Sequence, residues 1–211
     1  MFYEKKVLVL APHTDDAELG AGGLIAKALR NKCEVYVAAF SAAQESLPSG
    51  FSDDATEKEF NTSMELLGVT HHKLFNFKVR HFDMYRQEIL QAMIELKREF
   101  SPDVVVMPSL NDVHQDHQVV ANESVRAYKQ SSILMYEMPW NNLILKSNLF
   151  LHLNENDLQM KLAAINCYKS QLVKGSRYLS DDFIRSFLSL NSARTGREGF
   201  AEAFEILRLV E

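Results

Sequence analysis

The feature that most constrains this chain is a junction near its start. Val7-Leu8-Val9-Leu10 is a short apolar run rich in strand formers, and it leads straight into Ala11-Pro12-His13-Thr14-Asp15-Asp16-Ala17-Glu18. A helix-like stretch follows, predicted from about Glu18 to Asn31. Continuous rather than alternating apolar residues predict a strand, Val7 to Ala11, buried on both faces, as in a parallel sheet covered by helices. One imidazole and two adjacent carboxylates therefore sit in a strand-to-helix turn. In open α/β sheets that turn lies at the carboxyl edge, where ligands bind. A nearby helix N-terminus favours negative charge, but a cap needs only one carboxylate. The other, and the histidine, need a different explanation.

The same arrangement recurs in mid-chain. Asp103-Val104-Val105-Val106-Met107-Pro108 reads as a strand, Ser109-Leu110-Asn111-Asp112-Val113-His114-Gln115-Asp116-His117 follows it, and a helix is predicted from about Gln118 to Gln130. Taken singly, His13 reads as a satisfied turn histidine and His117 as a helix N-terminal residue bonded to backbone. Taken together, His13, Asp16 and His117 make a His/His/carboxylate set, and three protein ligands with one open position is the pattern of a catalytic zinc site. Iron(II) and cobalt suit the same donors.

Strands and helices alternate along the rest of the chain. Strands are predicted at Cys33 to Phe40, His72 to Phe77, Ile133 to Tyr136 and Leu149 to Leu153. Helices are predicted from Asp53 or Asp54 to Leu67, Tyr85 to Phe100, Asn156 to Cys167, and Tyr178 to Leu190 with Ser180 as cap. The expected fold class is α/β: one three-layer Rossmann-like domain over residues 1–211, its mostly parallel sheet in order 3-2-1-4-5 plus C-terminal strands. Right-handed crossovers would then make the first and fourth strands neighbours, with both histidine-bearing turns at the switch point. Gly20, Gly22 and Gly23 fall too late after the strand for a dinucleotide loop. They read as close helix-to-sheet packing.

The two motifs, Pro-His-Thr-Asp-Asp-Ala-Glu and Asp-Val-His-Gln-Asp-His, each after a strand, resemble those of the LmbE-like family, also called the PIG-L family. The resemblance runs from about Val7 to Tyr136 and resumes from Tyr178 to Val210. It implies a zinc-dependent N-deacetylase of amino-sugar derivatives. Residue by residue, it implies His13, Asp16 and His117 as metal ligands, Asp15 as catalytic base, and a protonated His114 holding the oxyanion. Asp116, joined by Asp112, would accept from the His114 imidazole. Thr14 departs from the family's usual proline, which only stiffens the turn. Thr56 stands where the family often has arginine, so Glu59 is read as part of a solvated helix face.

Three residues are candidate substrate contacts. Arg80 offers a planar fork for a sugar hydroxyl or phosphate, with a surface ion pair as the plainer reading. Trp140, beside Asn141 and Asn142, suits stacking on a sugar ring, with core packing as the alternative. Asp112 is the third. The loop from Ser41 to Ser52 lies at the same edge as the motifs, where loops often bind substrate.

Composition narrows the partners. The 211 residues carry a formal charge of -5, which argues against nucleic acid and acidic membranes. The apolar run after Lys6 is too short for a membrane span or a signal-peptide core. Cys33 and Cys167 read as small core residues, in keeping with a reducing cytoplasm. A small amino-sugar substrate is the expected partner, and a homo-oligomer stays open. Two other readings also stay open: a non-catalytic metal-binding or assembly protein on the same fold, and an amide hydrolase acting on a non-sugar substrate.

Overall fold

The structure, a computed structural model, describes residues 3–144 and 146–211. Met1 and Phe2, which begin the charged N-terminal stretch, lie outside it. The strands are β1 (Lys6–His13), β2 (Glu34–Ser41), β3 (His71–Leu74), β4 (Val104–Pro108), β5 (Ser132–Tyr136), β6 (Leu149–Leu153) and β7 (Phe200–Arg208). The helices are α1 (Asp16–Arg30), α2 (Ala55–Leu67), α3 (Arg86–Phe100), α4 (Gln115–Ala127), α5 (Glu155–Ile165), the single turn α6 (Lys169–Leu172) and α7 (Asp181–Ala193). Among the described residues the strands form one seven-stranded sheet in order β3-β2-β1-β4-β5-β7-β6. β1 to β5 are parallel to one another, and β7 runs antiparallel to both β5 and β6. The expected order of the first five strands therefore holds.

β1 is the spine of this sheet. Val7, Val9 and Ala11 face the core that holds α1 and α2, while Leu8 and Leu10 face the core that holds α3 and α4. A strand with both faces covered has no polar side, which is why its apolar residues are continuous. β1 pairs with β2 on one edge and β4 on the other. The turns after β1 and β4 thus open side by side.

Element boundaries differ from the sequence reading where they matter most. β1 continues to His13, and α1 begins at Asp16 rather than Glu18. α4 begins at Gln115, three residues earlier than expected, so Asp116 and His117 lie in its first turn. The polar composition of these turns reads as loop, but the backbone is already helical. His114 is the N-cap of α4, its Nδ1 accepting from the Asp116 backbone N–H at 3.2 Å.

α1 is broken at Ala21, whose φ is -145°. In an unbroken helix the Gly23 N–H would donate to the Leu19 carbonyl. Here Gly23 and Leu24 donate instead to the two oxygens of Glu202 on β7, at 2.8 and 2.6 Å. Lys161 of α5 donates to the freed Leu19 carbonyl and to Glu202, both at 2.7 Å. A buried ion pair thus replaces one rung of the helix. The glycines allow the helix to sit this close. A Cβ on Gly20 would lie 2.4 Å from the Tyr136 ring, and one on Gly23 would lie 2.4 Å from Leu153. Close packing, not nucleotide binding, is their role. Gly68 ends α2 in the left-handed conformation, φ +80°, as a helix C-terminal glycine does.

Cys33 and Cys167 are both free thiols. Among the described residues no helix is long and apolar enough to cross a membrane.

The Lys161–Glu202 pair gives a stability test. Lys161→Met strands the Glu202 charge and should cost about 3–5 kcal/mol. Adding Glu202→Gln, which keeps an acceptor for the α1 backbone but removes the charge, should recover part of that loss. Urea unfolding of the two variants measures both. A double variant no more stable than the single would contradict a charge-based role.

Candidate active site

The ends of β1 and β4 bring the two motifs together around one oxygen. Asp16 Oδ2 accepts the His13 backbone N–H at 2.9 Å, and it lies 3.1 Å from His13 Nδ1 and 3.2 Å from His117 Nε2. The other nitrogen of each ring meets a second carboxylate. His13 Nε2 lies 3.1 Å from Asp116 Oδ2, and His117 Nδ1 lies 2.7 Å from Asp112 Oδ2. Each imidazole is therefore clamped between a shared central carboxylate and a private outer one. Asp112, Asp116 and His117 are at most 2% exposed.

Asp15 stands beside this group but outside the clamp. It occupies the N-cap position of α1, yet its side chain makes no capping bond. Its carboxylate is left free to line a cavity of about 280 Å³, together with His13, Asp16, His114 and His117. Arg80, Trp140, Ser46 and Lys174 also reach this cavity. A roomier hollow of about 570 Å³ lies between α3 and α4, but its lining (Leu90, Ile94, Lys97, Arg98, Ser101, Arg126, Ala127, Lys129) holds no histidine or carboxylate.

Electrostatics follow from the clamp. Burial opposes charge on His13, but Asp116 and Asp16 outweigh it and raise its pKa to about 9. Burial likewise opposes His117, and Asp16 with Asp112 brings it up to about 10. Burial works against the Asp16 carboxylate, yet His117 and His13 hold it well below the usual carboxylate range. Asp15 is pushed up to about 6 by burial and by Asp16, against the pull of His13 and Lys174. With the imidazoles neutral, this group has an excess of negative charge around two nitrogens that face one oxygen. That is the donor set of a divalent-cation site, with a carboxylate behind each ring to fix its orientation. One nitrogen each from His13, His114 and His117 lie within 4.8 Å of one another, close enough to hold a single ion.

Several sequence expectations are corrected here. The Asp116 carboxylate does not receive the His114 imidazole. It faces His13 and accepts the backbone N–H groups of Arg80 and Phe82 at 2.6 and 3.3 Å. Asp112 does not face a substrate either. It braces His117 and accepts the His114 backbone N–H at 2.8 Å. His114 is not poised to be protonated: burial, then His117 and His13, lower its pKa. Its Nδ1 is also occupied by the Asp116 N–H, so the neutral ring carries its proton on Nε2. Glu59 is half-buried rather than solvated, and it accepts from the backbone N–H and hydroxyl of Ser170 at 2.8 and 2.6 Å, tying α2 to α6. Trp140 does reach the cavity, with one face stacked on Tyr178 at a centroid distance of 4.0 Å.

Sequence reasoning missed the segment from Tyr168 to Tyr178. The Tyr168 hydroxyl lies 2.6 Å from the Thr14 carbonyl and 2.8 Å from Glu18 Oε1, beneath the Asp15 turn. Ser63 also bonds Glu18, whose pKa burial pushes up to about 7. Gln171, Lys174 and Tyr178 line the cavity. No motif marks these residues. The only available signal was their place between two helices that pack near the sheet edge.

The clamp predicts a pH dependence for metal-free protein. His13 and His117 bind protons more tightly folded than unfolded, so their stabilisation is complete below about pH 6.5 and is lost as pH rises through about 9 and 10. The thermal midpoint of chelated protein should therefore fall between pH 6.5 and 9. His13→Asn should flatten the fall. A midpoint that holds steady or rises over this range would contradict the clamp.

Comparison with known proteins identifies the family. A family model described as "PIG-L: GlcNAc-PI de-N-acetylase" matches residues 8–128. A relative from Escherichia coli (strain K12), described as uncharacterized deacetylase YaiS, is 28% identical over 173 residues, covering 79% of this chain and 91% of its own. Among solved structures, N,N'-diacetylchitobiose deacetylase from Pyrococcus horikoshii superposes with a TM-score of 0.79 at 22% identity, covering 96% of this chain and 84% of that one. GalB, a 4-carboxy-2-hydroxymuconate hydratase from Pseudomonas putida KT2440, superposes almost as well, with a TM-score of 0.78 at 20% identity and 98% of both chains covered. At these identities the two structures establish the shared fold and not the reaction. The family match spans both histidine motifs and more than half of the sequence, and the chain belongs to the PIG-L de-N-acetylase family.

Proposed function

We propose that this protein is a metal-dependent hydrolase that removes the N-acetyl group from an amino-sugar derivative, releasing acetate and a free amine. The observation that carries the reading is the clamp, Asp16 Oδ2 within 3.2 Å of both His13 and His117, with a free Asp15 beside it on the cavity. His13, Asp16 and His117 would hold the cation. Zinc suits this donor set, as do iron(II) and cobalt. Bound there, the cation would supply Lewis acidity for the amide carbonyl and acidify a water.

The chain's own groups supply the rest. Asp15, with a pKa near 6, is a carboxylate at neutral pH and a base of useful strength. It takes the proton of the attacking water and returns it to the departing nitrogen. A nearby cation strengthens its preference for the charged form. His114 presents an Nε2–H and donates to the carbonyl oxygen as negative charge develops there, a contribution of the oxyanion-hole type. Asp112 and Asp116 act through the rings they brace, as positioning residues. His114 is kept out of the ligand set because its Nδ1 is committed to capping α4 and its Nε2–H serves the oxygen.

GalB shows the fold alone does not decide the reaction, but Asp15 and His114 speak for a proton-transfer site over simple metal storage. Storage needs neither group.

Variants at three residues test the assignment. Asp15→Asn should keep its metal and lose about 10²–10⁴ in turnover. Near-parental acetate release by that variant would remove Asp15 from the base role. His117→Ala should lose bound metal on dialysis, and a full metal complement by atomic absorption would strike it from the ligand set. His114→Gln, which retains a side-chain N–H donor, should keep more activity than His114→Ala, and equal losses in the two would speak against a hydrogen-bond role.

A further inference from the structure

Asp15 is not aimed by its own helix. It stands at the N-cap position of α1, and its side chain makes no capping bond. The hydrogen-bond ladder of α1 begins with the Leu19 N–H on the Asp15 carbonyl at 3.1 Å, so the preceding carbonyl, that of Thr14, lies outside it. A base that must meet one particular proton needs its backbone fixed from somewhere else.

The Tyr168 hydroxyl lies 2.6 Å from that Thr14 carbonyl. A carbonyl oxygen only accepts, so the hydroxyl donates to it. The peptide group is planar, and the Thr14 oxygen and the Asp15 Cα belong to one rigid unit. Anchoring the oxygen therefore sets the direction in which the Asp15 side chain leaves the backbone. Tyr168 comes from the junction of α5 and α6, 154 positions along the chain from Thr14.

The hydroxyl is itself held. Glu18 Oε1 lies 2.8 Å from it, and the Ser63 hydroxyl on α2 bonds the same carboxyl oxygen. One turn earlier on α2, Glu59 receives both the N–H and the hydroxyl of Ser170, two residues after Tyr168. α2 thus grips this junction twice. Thr14, Glu18, Ser63 and Tyr168 are at most 2% exposed. Tyr168 sits in the core of α1 and α2 and does not line the cavity, so it acts through Asp15 and not on substrate.

A core position alone does not ask for tyrosine. Phenylalanine fills nearly the same volume with no polar atom to satisfy. Tyr128 is a useful contrast. It is also fully buried, and its hydroxyl donates to the Met93 carbonyl at 2.9 Å, joining the end of α4 to α3 in the other core. The Tyr168 bond differs in where it ends, on the residue beside the base.

Resting on the deacetylase reading, we propose that Tyr168 is a positioning residue for Asp15. Its hydroxyl, braced by Glu18 and Ser63, fixes the Thr14–Asp15 peptide and so holds the base at the cavity.

Tyr168→Phe removes one hydroxyl, and Tyr128→Phe is its matched control. Tyr168→Phe should keep its bound metal and its KM and lose about tenfold in kcat, the scale of one buried hydrogen bond acting through geometry. Tyr128→Phe should keep the parental kcat. Backbone hydrogen exchange in the turn from His13 to Leu19 should quicken about tenfold in Tyr168→Phe while α3 is unchanged, and the turn should stay parental in Tyr128→Phe. A parental kcat in Tyr168→Phe, equal kcat losses in the two variants, or unaltered exchange in the turn would overturn the proposal. Loss of metal along with activity would move the role from Asp15 to the Asp16 clamp, and would overturn it as well. Should the parent protein release no acetate, the deacetylase reading falls, and exchange in the turn alone decides whether Tyr168 holds it.

Discussion

Everything at this site depends on one carboxylate oxygen placed between two imidazoles. Asp16 Oδ2 lies within 3.2 Å of a nitrogen of His13 and of His117, and it also accepts the His13 backbone N–H. Such a group is costly to bury unless positive charge compensates it. In metal-free protein the imidazoles take up protons to supply that charge, which is why both pKa values rise despite burial. A divalent cation satisfies the same demand. The outer carboxylates, Asp112 and Asp116, extend the arrangement by fixing each ring from behind. Asp116 goes further, since it also orders the backbone of Arg80 at the cavity wall.

The scaffold around this site is organised to deliver β1 and β4 side by side. β1 is buried on both faces, so its register is fixed by two cores at once. α1 must then lie close over the sheet, and Gly20 and Gly23 let it do so. The rung lost at Gly23 and Leu19 is replaced by Glu202 and Lys161, from elements near the C-terminal end of the chain. The C-terminal strands therefore do more than widen the sheet. They hold the helix whose first turn carries Asp16.

Much of this was legible in the sequence because the relevant signals are local. The continuous apolar runs of β1 and β4 announce buried parallel strands, and a polar histidine-bearing turn after each announces a carboxyl-edge site. Strand–helix alternation announces a parallel sheet, and the expected order of its first five strands is the one observed. The helix starts at Asp16 and Gln115 were missed because the polar first turns of both helices read as loop. The pairing of outer carboxylates was also misjudged. Asp116 and His114 are close in sequence, but a residue in the first turn of α4 points away from its own N-cap ring and toward β1. The wall from Gln171 to Tyr178 carries no local pattern at all, and its role arises only from where the chain passes in three dimensions.

The central claim is that this clamp binds a divalent cation and that amide hydrolysis depends on it. The direct measurement is acetate release by chelator-stripped protein as zinc is titrated back, across a panel of N-acetylglucosamine derivatives. The account predicts no release without metal, and a rise that saturates near about one equivalent per chain. Release that persists in the stripped protein, or a protein that takes up no metal at all, would contradict it.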